Sequence, residues 1–93
     1  MSIAINKQTD DVFVVAIADS ITTTHTVTVT DQSLTDLTDK NVTKTHLLEF
    51  SFKFLLEREP NTSILSSFDI NVIAKYFPDY REEVRRWCNE SQN

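Results

Sequence analysis

The densest run of apolar residues lies between residues 42 and 60, which hold three of the six Phe in the chain. The three Phe alternate as in a strand, whereas Leu48, Phe52 and Leu55 recur at helical spacing. From His46 onward the run has no Gly and no β-branched residue, and it is longer than a normal strand. The pattern therefore predicts a helix that is capped by Thr43 and ended by the proline.

A polar stripe follows one side of this predicted helix, and most of the remaining circumference is apolar. Its members are His46, Glu49, Lys53 and Glu57. A helix that is apolar over most of its surface is surrounded by other elements of the fold. We therefore expect the helix to be central, with the stripe as a candidate contact surface.

Two segments before this helix have strand patterns. Residues 12–18 are apolar at every position and rich in Val and Ile, which indicates a strand covered on both sides. Residues 25–30 alternate, with Val27 and Val29 facing inward and threonines facing water. The simplest arrangement is an antiparallel hairpin. Residues 2–6 alternate weakly, and the pattern leaves open whether they form a third strand.

Three shorter helical patterns complete the chain. Residues 31–38 indicate a short helical turn, and Asp69 is placed to cap a helix that includes Ile73. Pro78 suits the first position of a last helix with Tyr80, Val84 and Trp87 on one face. These elements predict an α+β fold, in which a small antiparallel sheet of two or three strands packs on a central Phe-rich helix and two or three shorter helices.

Length and charge limit the possible functions. The 93 residues suit one domain, spanning 1–93, with the ends at 1–5 and 89–93 expected to fray. A net charge of −5 disfavours diffuse binding to nucleic-acid phosphates. A single Cys and the lack of a signal-peptide or membrane-helix pattern favour a cytoplasmic protein.

No pattern of catalytic, cofactor-binding or metal-ligating residues appears. His25, His46 and Cys88 lie far apart in sequence, and the histidines are interpreted as ordinary surface or helix-start residues. The chain contains no Gly, which excludes the Gly-rich loops that bind phosphates. The sequence therefore predicts a non-catalytic protein without a cofactor or a metal.

The predicted last helix has a basic group that forms a second candidate contact surface. Its members are Arg81, Arg85 and Arg86, which lie beside two aromatic residues. Such a mixture can serve a nucleic acid or an acidic partner. Glu82 and Glu83 are interleaved with the arginines, so a self-compensating surface is the favoured interpretation.

Residues 26–57 resemble the ribbon-helix-helix family of dimeric DNA-binding proteins. The alternating strand is similar to the ribbon, and residues 43–48 are similar to the opening of the second helix. The resemblance implies base contacts by three threonines and phosphate contacts by two more, namely Thr26, Thr28, Thr30, Thr43 and Thr45. The strand carries no Lys or Arg, and Asn41 and Val42 stand where the family has a Gly turn.

The second half of the chain, from Phe54 to Tyr80, is similar to a group of small bacterial proteins that carry no assigned function. This resemblance implies a bacterial, cytoplasmic domain. The leading expectation is an interaction or regulatory module whose partner is itself, as a homodimer, or another protein, because an apolar strand in a small sheet often hides its edge against a copy. The alternative is a ribbon-helix-helix-like regulator.

Overall fold

The computed structural model describes residues 2–38 and 42–91 and confirms an α+β fold. Its elements in chain order are β1 (Ser2–Lys7), β2 (Val12–Ala18), β3 (Thr23–Thr28), α1 (Asp31–Thr38), α2 (Lys44–Leu56), a single 3₁₀ turn (Asn61–Ser63), β4 (Ser67–Asp69), α3 (Val72–Tyr76) and α4 (Tyr80–Ser91).

In the described residues, the sheet has four strands in the order β1-β2-β3-β4, one more than the largest number predicted. The pairs β1–β2 and β2–β3 are antiparallel, as expected for a hairpin, but β4 runs parallel to β3. The predicted antiparallel arrangement is confirmed for β1 to β3, whereas the parallel fourth strand was not predicted. β4 has only three residues with Phe68 as its one apolar side chain, so no alternation marks it in the sequence.

The sheet buries one face only. Phe13, Val15 and Ile17 of β2 are buried against the helices, whereas Val14 and Ala16 on the outer face remain half-exposed. The prediction that residues 12–18 are covered on both sides was wrong. The helices pack on the inner face, so the outer face stays accessible to solvent, as in many antiparallel sheets.

Strand β1 settles the question that the sequence left open about residues 2–6. Ile3 lies opposite Ile17 and Ile5 opposite Val15, so both isoleucines pack on the inner face and are half-buried. Residues 2–5 belong to β1 and α4 reaches Ser91, while the expected fraying of the two chain ends stays a prediction. Residues 1, 92 and 93 lie outside the described part of the chain.

Helix α2 occupies the centre of the fold, as its apolar pattern predicted. The Thr43 Oγ1 accepts a hydrogen bond from the His46 N–H at 3.1 Å, which makes Thr43 the N-cap. The helix ends at Leu56, three residues before the position that precedes Pro60. Its buried side chains share one face that covers nearly half of the circumference at about 100° per residue: Leu47, Leu48, Ser51, Phe52, Phe54 and Leu55.

The last two helices begin later than expected. Asp69 lies in β4, and its Oδ1 accepts a hydrogen bond from the Asn71 N–H at 2.9 Å, so it closes a turn and does not cap α3. Helix α4 starts at Tyr80, because Pro78 and the residue after it form a turn. Val84 and Cys88 are buried on the same face as Tyr80.

Candidate interaction surfaces

The polar stripe of α2 borders a groove between α2 and α4. Phe50 and Phe54 line it from α2, together with Lys53, Glu57, Arg58 and, from α4, Glu83. The Phe50 ring stacks on Trp87 with ring centroids 4.8 Å apart, which holds the two helices together beside the groove. The fold thus brings Lys53 and Glu57 next to α4.

Charges on this surface pair with one another. Lys53 contacts Glu49 at 3.3 Å, and Arg86 contacts Glu83 at 3.2 Å and Glu82 at 3.5 Å. These side chains are largely solvent-exposed, and each such pair contributes about 0 to 1 kcal/mol to stability. The pairing matches the self-compensating surface that the sequence favours.

The remaining members of the two candidate contact surfaces are exposed but scattered. His46 lies in the first turn of α2, while Arg81 and Arg85 lie on α4. All three side chains are open to solvent. Their role as contact residues stays a prediction.

The five threonines that a ribbon-helix-helix protein would use differ in their exposure and in their structural roles. Thr26 and Thr28 are half-exposed on the outer face of the sheet, whereas Thr30 and Thr43 cap helices. Thr45 is exposed. Strand β3 is paired with β2 on one edge and with β4 on the other, so its pairing is completed within one chain.

His25 is buried in the core, which corrects its interpretation as a surface residue. Its exposed fraction is 1%, and its ring lies 5.6 Å from that of Phe52. The Nδ1–H donates to the Leu65 carbonyl at 2.7 Å, which leaves Nε2 to accept from the Thr23 hydroxyl at 2.8 Å. The carbonyl lies 40 positions away in sequence, so no local pattern indicates this role.

Lys44 forms a cluster with groups from two other parts of the chain, which no pattern in the sequence indicated. Its Nζ contacts Asp11 at 3.0 Å, Asp31 at 2.9 Å and the carbonyl of Asp10 at 2.7 Å. Burial acts to lower the pKa of Lys44, but its hydrogen bonds to Asp31 and Asp11 outweigh burial and raise it. Lys44 thereby ties the β1–β2 turn and α1 to the start of α2.

An apolar pocket lies between α3 and β4. Its rim includes Tyr76 and Leu65, which are 67% and 48% exposed, and Glu59. Its floor includes Ile73 and Phe68. The pocket encloses about 30 Å³, which is room for one small group.

The two edges of the sheet differ in length. β4 has three residues, but β1 has six and pairs with β2 in one unbroken register from Ser2 to Lys7. In the described part of the chain, no further strand covers the outer side of β1. Only Lys7 is charged in β1, and its Nζ lies 3.2 Å from Asp10. We call residues 2–7 with their outward backbone groups the β1 edge.

Comparison with family models, curated proteins and solved structures finds no match for the chain. Within residues 2–38 and 42–91, no set of three or more His, Cys, Asp or Glu side chains is arranged to hold a metal ion. None of the helices described there is long and apolar enough to cross a membrane.

Proposed function

We propose that the protein is a non-catalytic interaction module that associates with a second copy of itself through the β1 edge. The observation that carries the proposal is the six-residue edge strand, which is exposed along one side. An edge strand presents a row of N–H and C=O groups that pair readily with another chain. Self-association through a sheet edge is also the leading expectation from the sequence, and the length of β1 at the edge of the sheet supports it.

The β1 edge lacks most features that keep edge strands apart. Proteins protect such edges with short strands, bulges, Pro or charged residues. β4 is protected by its length of three residues, whereas β1 has no Pro and no break in register. Lys7 is the one charged residue of β1 and lies at its end. The apolar Ile3 and Ile5 are half-buried, so a neighbouring strand would shield them further.

Net charge also favours this surface for contact between identical copies. A chain of charge −5 repels its copy when acidic surfaces meet. Residues 2–6 carry no charge, so two β1 edges meet without direct repulsion between like charges. Added salt screens the remaining long-range repulsion, and we expect the dimer to become slightly tighter as ionic strength rises.

The test is the solution mass of the full chain across a concentration series, measured by sedimentation velocity and light scattering. We expect a reversible change from monomer to dimer between low micromolar and millimolar concentrations. A monomer at every concentration would overturn the proposal. A mass that continues to rise beyond the dimer would also contradict it, because β4 leaves no long edge for further growth.

A further inference from the structure

We infer that two copies pair their β1 strands antiparallel in a single register, with Ala4 lying opposite the partner's Ala4 on a twofold axis. This inference rests on the proposed self-association and specifies its geometry. Three observations support it: the direction of the backbone groups of β1, the symmetry of a pair of identical strands, and the side chains that each register brings together.

The direction of the backbone groups follows from the turn between β1 and β2. The Gln8 N–H donates to the Val12 carbonyl at 2.8 Å, so these two residues form a hydrogen-bonded pair. Hydrogen-bonded and non-hydrogen-bonded pairs alternate along an antiparallel ladder. Asn6 and Ala4 therefore direct their backbone groups toward β2, while Ile3 and Ile5 direct theirs away from it.

Symmetry restricts the registers that use these outward groups. In a twofold contact between identical surfaces, if residue i of one copy lies opposite residue j of the other, residue j of the first copy also lies opposite residue i of the second. The outward residues of β1 are the odd-numbered ones, so odd positions must pair with odd positions. Two registers use most of the strand: one is centred on Ala4 and pairs residues 2–6, and the other is centred on Ile5 and pairs residues 3–7.

Side chains select the register centred on Ala4. There Ile3 faces the partner's Ile5 on the inner face, and Ser2 faces the partner's Asn6 on the outer face. The register centred on Ile5 instead places Lys7 beside the partner's Ile3, which puts a charged group against an apolar one. Apolar cross-strand pairs stabilise an antiparallel sheet, whereas a partner strand beside Lys7 would remove water from its ammonium group and from its exposed ion pair with Asp10, which is costly.

This register joins two four-stranded sheets into one continuous sheet. Ile3 and the partner's Ile5 form two N–H···O hydrogen bonds with each other. By symmetry, Ile5 and the partner's Ile3 form two more. The outward backbone groups of Ile3 and Ile5 are then paired in both copies, while Lys7 lies beyond the paired residues 2–6. The edges that remain are the short β4 strands, so the assembly stops at two copies.

Cysteine cross-linking tests the register directly. In the Ala4→Cys variant, the two Cα atoms on the axis lie about 4.5 Å apart in a non-hydrogen-bonded pair, within the range that disulfides span. Ala4 is exposed, so the substitution leaves the core intact. Cys88 is buried and is present in every variant. The full-length variant is incubated with oxidised glutathione and run on a non-reducing gel.

The matched control is Asn6→Cys, which lies on the same face of the same strand and is also exposed. In the inferred register the two substituted positions of this control are four residue steps apart, or about 13 Å, too far for a disulfide. We expect Ala4→Cys to give at least tenfold more covalent dimer than Asn6→Cys. Melting curves of both variants must match that of the parent chain.

Each contrary result has a separate meaning. Equal cross-linking of the two variants, or none with Ala4→Cys while the parent chain dimerises, would overturn the register and leave self-association standing. Cross-linking only in a mixture of Ala4→Cys and Asn6→Cys chains would overturn it in favour of the register centred on Ile5. A parent chain that stays monomeric in the mass series would overturn both the register and the proposed function.

Discussion

Tyr80 and Ser51 place two hydroxyl groups inside the apolar core, with 2.6 Å between their oxygen atoms. Ser51 donates to the Leu47 carbonyl at 2.7 Å, so its oxygen accepts from the Tyr80 hydroxyl. Burial raises the pKa of Tyr80, and the hydrogen bond to Ser51 acts against that shift. The phenol therefore stays protonated in the folded chain, and its contribution to stability is lost as the pH rises above about 10, the unfolded value.

Tyr80→Phe removes this hydroxyl and leaves the oxygen of Ser51 without its donor. We expect the free energy of unfolding to fall by about 1 to 2 kcal/mol, because a buried acceptor then lacks a partner. Urea denaturation at neutral pH measures the change. Tyr76→Phe is the matched control, since Tyr76 is 67% exposed, and its effect should stay within about 0.5 kcal/mol. Equal effects of the two substitutions would argue against the buried hydrogen bond.

Asp31 makes the stability of the fold depend on pH in the acid range. Its hydrogen bond with Lys44 and the charge of Lys44 lower the pKa of Asp31. A carboxyl whose pKa is lowered by folding stabilises the protein above its unfolded value of about 3.9, and this contribution is lost as the pH falls through the folded value. The acid-sensitive window for this group therefore begins near pH 4 and extends downward.

Lys44→Met should flatten this acid dependence, because Asp31 then titrates at similar pH in the folded and unfolded chains. The measurement is the urea midpoint at pH 7 and at pH 3 for the parent and the variant. We expect the parent to lose more stability between the two values than Lys44→Met does. Lys53→Met serves as control, since Lys53 pairs with Glu49 at an exposed site. A parent and a Lys44→Met variant with equal acid dependence would contradict this role.

At the scale of elements, α2 depends on a cap at its start and on aromatic packing in its second half. Thr43 bonds the His46 N–H, while Thr45, two residues on, is exposed. Phe54 is 3% exposed, and its ring centroid lies 5.3 Å from that of Tyr80. The guanidinium carbon of Arg58 lies 3.6 Å from the centroid of the Phe54 ring. The two features are separate in space and can be tested separately.

Thr43→Ala should lower the free energy of unfolding by about 1 kcal/mol, since it leaves a backbone N–H of the first turn without its acceptor. Thermal and urea denaturation measure the loss. Thr45→Ala supplies the comparison in the same turn and should change stability by less than half as much. A larger effect at Thr45 than at Thr43 would show that the cap does not fix the start of α2.

Phe54→Ala should cost roughly 2 to 5 kcal/mol, from lost burial and from the cavity that remains. The measurement is the urea midpoint at constant slope, which reports stability when the unfolded state is unchanged. Lys53→Ala, on the exposed side of the same turn, should cost about 0.5 kcal/mol or less. An unchanged midpoint for Phe54→Ala would refute the central position of α2.

On the scale of the whole molecule, two surfaces with few charged residues are available to a second copy in the described part of the chain. One is the β1 edge, and the other is the outer face of the sheet, where Val14 and Ala16 are half-exposed. Three strands about 20 Å long and the shorter β4, spaced about 4.8 Å apart, give the outer face roughly 350 Å². That is about half of what one partner buries in a standard interface. Backbone pairing gives the β1 edge directional contacts that the outer face lacks.

Charge substitutions distinguish these two surfaces. Ala4→Lys places two like charges beside the twofold axis and should weaken the dimer at least tenfold, whereas Thr24→Lys, exposed on the outer face of β3, should leave it unchanged. An equimolar mixture of Ala4→Lys and Ala4→Glu should restore dimers as mixed pairs. Sedimentation velocity measures the fraction of dimer in Ala4→Lys, in Thr24→Lys and in the mixture. A disruptive Thr24→Lys would place the contact on the outer face, because Ala4 borders both surfaces and Thr24 lies only on the outer face.

The sequence by itself determined the elements whose signals are local. The spacing of Leu48, Phe52 and Leu55 predicted α2, and Thr43 marked its start one turn before the buried positions. Alternation around Val27 predicted β3, and the run at 12–18 predicted β2. These predictions hold because helix caps and side-chain periodicity depend on residues a few positions apart.

Only the tertiary structure decided which of these elements meet. It assigned three residues around Phe68 to a parallel edge strand, buried His25 against a carbonyl 40 positions away, and joined Lys44 to Asp11 and Asp31. It also left β1 at the edge of the sheet, which is the basis of the proposed function. Such features depend on contacts between distant residues, and no periodicity within one segment encodes them.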